Sequence, residues 1–101
     1  MSIPSFMADQ ITIIRDEIIP EIPEEVFDSH EFIRSFSKRF ELEYVKFLNS
    51  YKTEPFRNVH AQIGKFLAEN QEDLHIKSKG KTISENIFGI DNLNEKWEKL
   101  H

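Results

Sequence analysis

The sequence predicts a mainly α-helical domain of three to four helices, the second one long, with one short antiparallel β-hairpin near residues 74–84. Three observations carry this. Ile33, Phe36, Phe40, Tyr44, Phe47 and Tyr51 step by three or four residues, the spacing of one helix face. Three glycines and four prolines in 101 residues leave little room for flexible linkers. Residues 75–84, HIKSKGKTIS, set three lysines on alternate positions around a single glycine, as a tight turn between two short strands would.

Each element can be justified in turn. Ile11, Ile14 and Ile18 recur at helical spacing with Met7 one turn earlier, so a first helix spans 8–19 and residues 1–7 form a flexible N-terminus. Pro20 disfavours the helical conformation of Ile19 and should stop that helix. PEIPEEVF then reads as a proline-punctuated acidic connector, pinned by Ile22, Val26 and Phe27. Asp28-Ser29-His30-Glu31 has the form of a capping box. It opens the long second helix, 29–51, whose aromatic stripe makes it the spine of the domain. Leu42 and Val45 fall roughly opposite the stripe and call for cover by another part of the fold, a partner or a second copy.

Thr53-Glu54-Pro55 places a capping residue and a first-turn proline ahead of a third helix, 54–70, with Phe56, Val59, Ile63, Phe66 and Leu67 on its apolar face. Gly64 inside it is expected to let a neighbouring element approach closely. Asn70 suits the C-cap. A turn at Lys79-Gly80 would set Ile76 opposite Ile83. Ile87, Phe88 and Ile90 around Gly89 suggest a buried loop or helical turn, and Leu93, Trp97 and Leu100 one side of a short last helix. Phe36, Phe40, Phe47, Ile63, Phe66 and Trp97 are expected to meet in one core.

Composition narrows the function. At this length one domain, residues 1–101, is expected to bury roughly two-thirds of its unfolded surface. There is no cysteine, which excludes thiol chemistry and Cys-based zinc sites and fits a reducing, cytoplasmic location. No wholly apolar run exceeds three residues, so no membrane span is expected. The net charge of −5 is unevenly spread: residues 1–31 carry a net of −7 and residues 32–81 a net of +4. A basic side is therefore hidden within an acidic protein.

Nucleophile elbows, phosphate-binding glycine loops and zinc-helix motifs are absent. His30, His60, His75 and His101 form no ligand pattern beyond His75 near Glu72, a spacing common on helices. His60, on the flank of an apolar face, reads as a half-buried residue with a satisfied hydrogen bond, and His30 as part of a helix N-terminus. No catalytic residue, metal site or small-molecule cofactor is expected.

Three helices followed by a lysine-tipped hairpin resemble a winged helix-turn-helix domain over residues 29–84, by element order rather than by a residue motif. The resemblance implies DNA contact by Arg57, Asn58, Gln62 and Lys65 on the third helix, with Lys77, Lys79 and Lys81 on phosphates. Against it stand the length of the second helix, Glu54 and Glu69 on the third, and a proline-rich connector where that motif has a strand. The favoured expectation is a non-enzymatic protein-binding or regulatory module, with a protein partner or a homodimer contacting Leu42 and Val45.

Overall fold

Ser2 opens the first helix. Its Oγ accepts a hydrogen bond from the Ser5 N–H at 3.2 Å, and Pro4 sits in the first turn, where a missing N–H costs nothing. Helix α1 (Ile3–Asp9) thus starts ahead of residue 8, and it buries Ile3, Phe6 and Met7 in the core. The computed structural model describes residues 1–101. From α1 the chain continues through α2 (Ile11–Ile13), a π turn (Ile14–Ile18) and α3 (Ile19–Glu21). Helical structure therefore passes Pro20. The π turn widens the ladder just ahead of the proline, relieving the clash its ring makes with a carbonyl four residues back.

The acidic connector holds a strand, β1 (Val26–Asp28), rather than only a pinned loop. Asp28 then caps α4 (Ser29–Arg39), accepting from the Glu31 N–H at 2.9 Å as the capping box predicts. The long second helix does not persist. Phe40 leaves helical geometry (φ −116°, ψ 51°), and α5 (Glu41–Asn49) restarts beyond it. No proline or glycine causes the break. Phe6 from α1 lies among the rings of Phe36, Phe40 and Phe47 at centroid distances of 6.3, 5.0 and 5.6 Å. The three contacts are edge to face, and they span the break. The stripe itself stays buried at Ile33, Phe36, Phe40, Tyr44 and Phe47.

Glu54 enters the left-handed region (φ 45°) ahead of α6 (Pro55–Glu69), and no side chain caps that helix. The amide of Asn58 instead donates to the carbonyls of Thr53 and Glu54, each at 3.1 Å. Asn70 closes α6, and the short α7 (Gln71–Leu74) ends on His75, also left-handed (φ 56°).

The C-terminal quarter overturns the mainly α expectation. Strands β2 (Ile76–Glu85) and β3 (Asp91–Lys99) join β1 in a three-stranded antiparallel sheet of order β1-β3-β2, which makes the fold α+β with 22% strand. The residues expected as a last helix are the central strand. Leu93 and Trp97 are four apart, a spacing that satisfies a period of 3.6 and a period of 2 equally well. The hairpin near 74–84 is replaced by a longer one whose tip is Asn86–Ile90. Ile76 faces Lys99 rather than Ile83, and Ile83 faces Leu93. Asn86 organises the tip: its Oδ1 accepts from the N–H groups of Phe88 (2.9 Å) and Ile90 (3.1 Å), and Gly89 turns at φ 74°.

Lys79-Gly80 is a bulge within β2. Ser78 pairs with Trp97 and Lys81 with Glu95, so three steps on one strand match two on the other. Gly80 supplies the positive φ of 94° that the extra residue needs. The outer edge of β2 is covered locally: Gln71 Oε1 accepts from the Ser78 N–H at 2.9 Å, and the His30 ring meets the Ser84 carbonyl at 3.1 Å. Trp97, buried in the middle of the sheet, donates its indole N–H to Ser29 Oγ at 3.0 Å. It belongs with Phe36, Phe40, Phe47, Ile63 and Phe66 to a single buried cluster, as the sequence predicts.

Candidate functional site: a basic groove with an apolar lip

Helix α6 buries Val59, Ile63, Phe66 and Leu67 and turns Arg57, Ala61, Gly64, Lys65 and Ala68 the other way. Those small residues leave room in front of the helix. A Cβ added at Gly64 would meet nothing within 4 Å, so this glycine opens a space rather than permitting a close approach. The space is a groove of about 920 Å³ between α6, the start of α4 and the hairpin, with Ile33 and Trp97 among the residues lining it.

The bulge decides what the hairpin presents there. Strand alternation would send Ser78 and Lys81 to opposite faces, because they are three residues apart. The extra residue at Lys79-Gly80 restores Lys81 to the side of Ser78. Both then reach Glu95: Lys81 Nζ at 2.8 Å, and Ser78 Oγ through a hydrogen bond. These contacts, the lysine's first, hold the Glu95 carboxyl below its usual pKa.

Three cations line the groove, Arg57, Lys65 and Lys81, against the single acid Glu95. Arg57 lies 3.5 Å from Glu54 and Lys65 4.0 Å from Glu69, and all four side chains are well exposed. Such pairs contribute little and leave the cations free to meet another anion. Phe56 and Phe88 pack edge to face at 4.8 Å where α6 meets the hairpin tip.

Two histidines reach this groove, and both are committed to internal contacts. His60 Nε2 lies 2.6 Å from the Tyr44 hydroxyl, with the two rings stacked at 5.9 Å. Burial, helped by the charge of His30, lowers the His60 pKa to about 4, while burial pushes the Tyr44 phenol up to about 12. Near neutrality a neutral phenol therefore faces a neutral imidazole, which suits donation from the hydroxyl to Nε2. His30 lies 3.0 Å from Ser84 Oγ through Nδ1, and its backbone N–H donates to Asn94 Oδ1 at 3.2 Å.

The seven residues named for nucleic-acid contact separate into three groups. Arg57, Lys65 and Lys81 come together on the groove. Asn58 is spent on its own helix start, and Gln62 donates to the Tyr51 hydroxyl. Lys77 and Lys79 are exposed on β2 outside the groove. Leu42 and Val45 are exposed on α5, also away from it.

Sequence reasoning missed the lip of the groove. Ile83, Phe88, Ile90 and Leu93 are 69%, 55%, 59% and 66% exposed, although the sequence pattern suggests a buried loop or helical turn for Phe88 and Ile90. Apolar residues crowded into an Asn-to-Gly turn, NIFGI, are the signal that could have found it, since such tips are usually polar. Beside the groove lies an acidic cleft of about 470 Å³, lined by Glu21, Glu24, Asp28, Glu31 and Glu85 with Arg34 as its one cation. Burial, then the charges of Asp28 and Glu24, raise the Glu31 pKa. No group of three or more acidic or histidine side chains is arranged to hold a metal ion, and no helix is long and apolar enough to cross a membrane. The chain matches no protein-family model, no curated protein and no solved structure.

Proposed function

We propose that this protein is a non-enzymatic, cytoplasmic protein-binding module whose contact surface is the basic groove and its apolar lip. One observation carries the reading: Phe88 and Leu93 line the groove with three cations while remaining exposed, and Ile83, the cross-strand partner of Leu93, and Ile90 are exposed on the same hairpin. A contiguous exposed apolar patch rimmed by charge is the anatomy of a protein contact, with burial supplying affinity and the rim supplying selectivity. The pairing of both groove histidines with internal partners favours binding over acid–base chemistry.

The test is a photo-cross-linking amino acid in place of Leu93, activated in the cells that make the protein, with adducts identified by mass spectrometry. A discrete protein adduct that disappears with Phe88→Ser is expected. Adducts to nucleic acid alone, or none, would overturn the reading.

A second reading is contact with duplex DNA. It is favoured by β1, which supplies the strand that a winged helix-turn-helix domain has between its first helices. In that reading α6 presents Arg57 and Lys65, and Lys77, Lys79 and Lys81 flank it. The hairpin tip Asn86–Ile90 carries no cation, which weighs the other way. Changing Lys77, Lys79 and Lys81 together to glutamine should lower the logarithmic salt slope of DNA binding by about 0.9 for each phosphate that is no longer neutralised. A wild-type protein that ignores duplex DNA at low salt ends this reading.

A further inference from the structure

The basic groove and the acidic cleft are neighbours. Ser84 and Glu85 line the cleft, and the next residue, Asn86, lines the groove with Phe88. On the helical side the same boundary runs between Asp28, in the cleft, and Ser29-His30, in the groove. One hairpin end thus separates an excess of negative charge from an excess of positive charge, and its exposed apolar residues stand at that divide.

We infer that the partner for this surface is a second copy of the chain, in a two-fold dimer that sets the acidic cleft of each protomer against the basic groove of the other. The inference rests on the protein-binding reading and names its partner. Two adjoining patches of opposite sign are self-complementary under a half-turn about their boundary, so one rotation makes both charge matches at once. Phe88 and Leu93 on the groove side, with Ile90 on the same hairpin tip, would form the apolar centre, as in a protein interface with a dry core and a charged rim. Glu24 and Glu85 meet Arg57 and Lys65 around it. In the dimer the excess positive charge of each groove offsets part of the excess negative charge of the facing cleft. Association therefore weakens as salt rises.

Sedimentation equilibrium on the full chain, at low and high salt, tests this with two charge-reversed variants. Arg57→Glu with Lys65→Glu makes the groove acidic; Glu24→Lys with Glu85→Lys makes the cleft basic. All four side chains are exposed, so folding should survive, and far-ultraviolet circular dichroism with a thermal melt verifies that. Each variant alone should raise the dimer dissociation constant by at least about tenfold. An equimolar mixture should recover a heterodimer, because reversed groove and reversed cleft again match.

Wild type that stays monomeric, a dimer indifferent to both variants, or assembly growing past two chains would each overturn the inference. A monomer that still cross-links another protein through position 93 sinks the dimer and leaves the binding module standing. A monomer that cross-links no protein sinks both.

Discussion

Phe6 meets Phe40 edge to face at 5.0 Å inside the helical layer, and Phe56 meets Phe88 edge to face at 4.8 Å at the end of the hairpin. The ring geometry is nearly the same. The surroundings are not: the first pair is buried, whereas both rings of the second remain in contact with water. An aromatic contact stabilises a fold mainly through the water it excludes, and only by about 0.5–1.5 kcal/mol through ring geometry. The helical region has completed that exclusion within one chain. At the hairpin end Phe56 and Phe88 leave it incomplete.

The largest expected effect tests the closed side. Phe36→Ala removes a fully buried ring and should lower unfolding free energy by about 3–5 kcal/mol in urea denaturation. A loss below about 1 kcal/mol would mean that the helical layer is not closed. Next is the joint between sheet and helices. Ser29→Ala leaves the buried Trp97 indole N–H without its acceptor and should cost about 1–3 kcal/mol.

The two glycines beside the groove separate backbone need from open space. Gly80→Ala should cost about 1–2 kcal/mol, because its φ of 94° is hostile to a Cβ although nothing crowds it. Gly64→Ala should go the other way, stabilising by about 0.5–1 kcal/mol, since that position is helical and open. Losses at both positions would show that the groove is already filled in solution.

His60 gives a pH signature on the groove wall. Its folded pKa of about 4 lies below the ordinary 6.5, so between these values the unfolded chain binds more protons than the folded one. Stability should therefore fall as pH drops from 6.5 toward 4 and be flat above that window. The amplitude is on the order of 1 kcal/mol after discounting for the ring's partial contact with solvent. Replacing His60 with glutamine should remove that part of the slope in urea titrations across the window.

The smallest effects belong to the open side. Phe88→Ser and Leu42→Ser, measured at concentrations where the chain is monomeric, should each change stability by less than about 0.5 kcal/mol. A large loss at Phe88 would make the hairpin tip part of the core and erase the contrast with Phe36.

Residues 29–47 show how far local pattern can be read. The capping box at Asp28 and the buried ring positions follow from spacing, because a side chain's place on a helix face is a local property. The break at Phe40 does not. Phe6, some thirty residues away, packs against rings on both sides of it, a contact no local spacing shows. The groove divides in the same manner. Arg57, Lys65 and Lys81 are legible as cations, yet residue type alone does not show that the Asn58 amide is spent on its own helix start or that Gln62 bonds Tyr51.

By itself the sequence determined the starts of α4 and α6, the buried stripe from Ile33 to Phe47 and the charge imbalance between its first third and its middle. These depend on composition and on contacts within one or two turns. Only the tertiary structure decided that residues 91–99 are a strand. Leu93 and Trp97 suit either period, and the choice fell to pairing with β1 and β2 across the chain. The same long-range pairing moved the turn from Lys79-Gly80 to Asn86–Ile90, turned the lysine stretch into a bulged strand and left the apolar tip exposed. Strand partners are chosen by residues distant in sequence, which is why no short stretch could announce them.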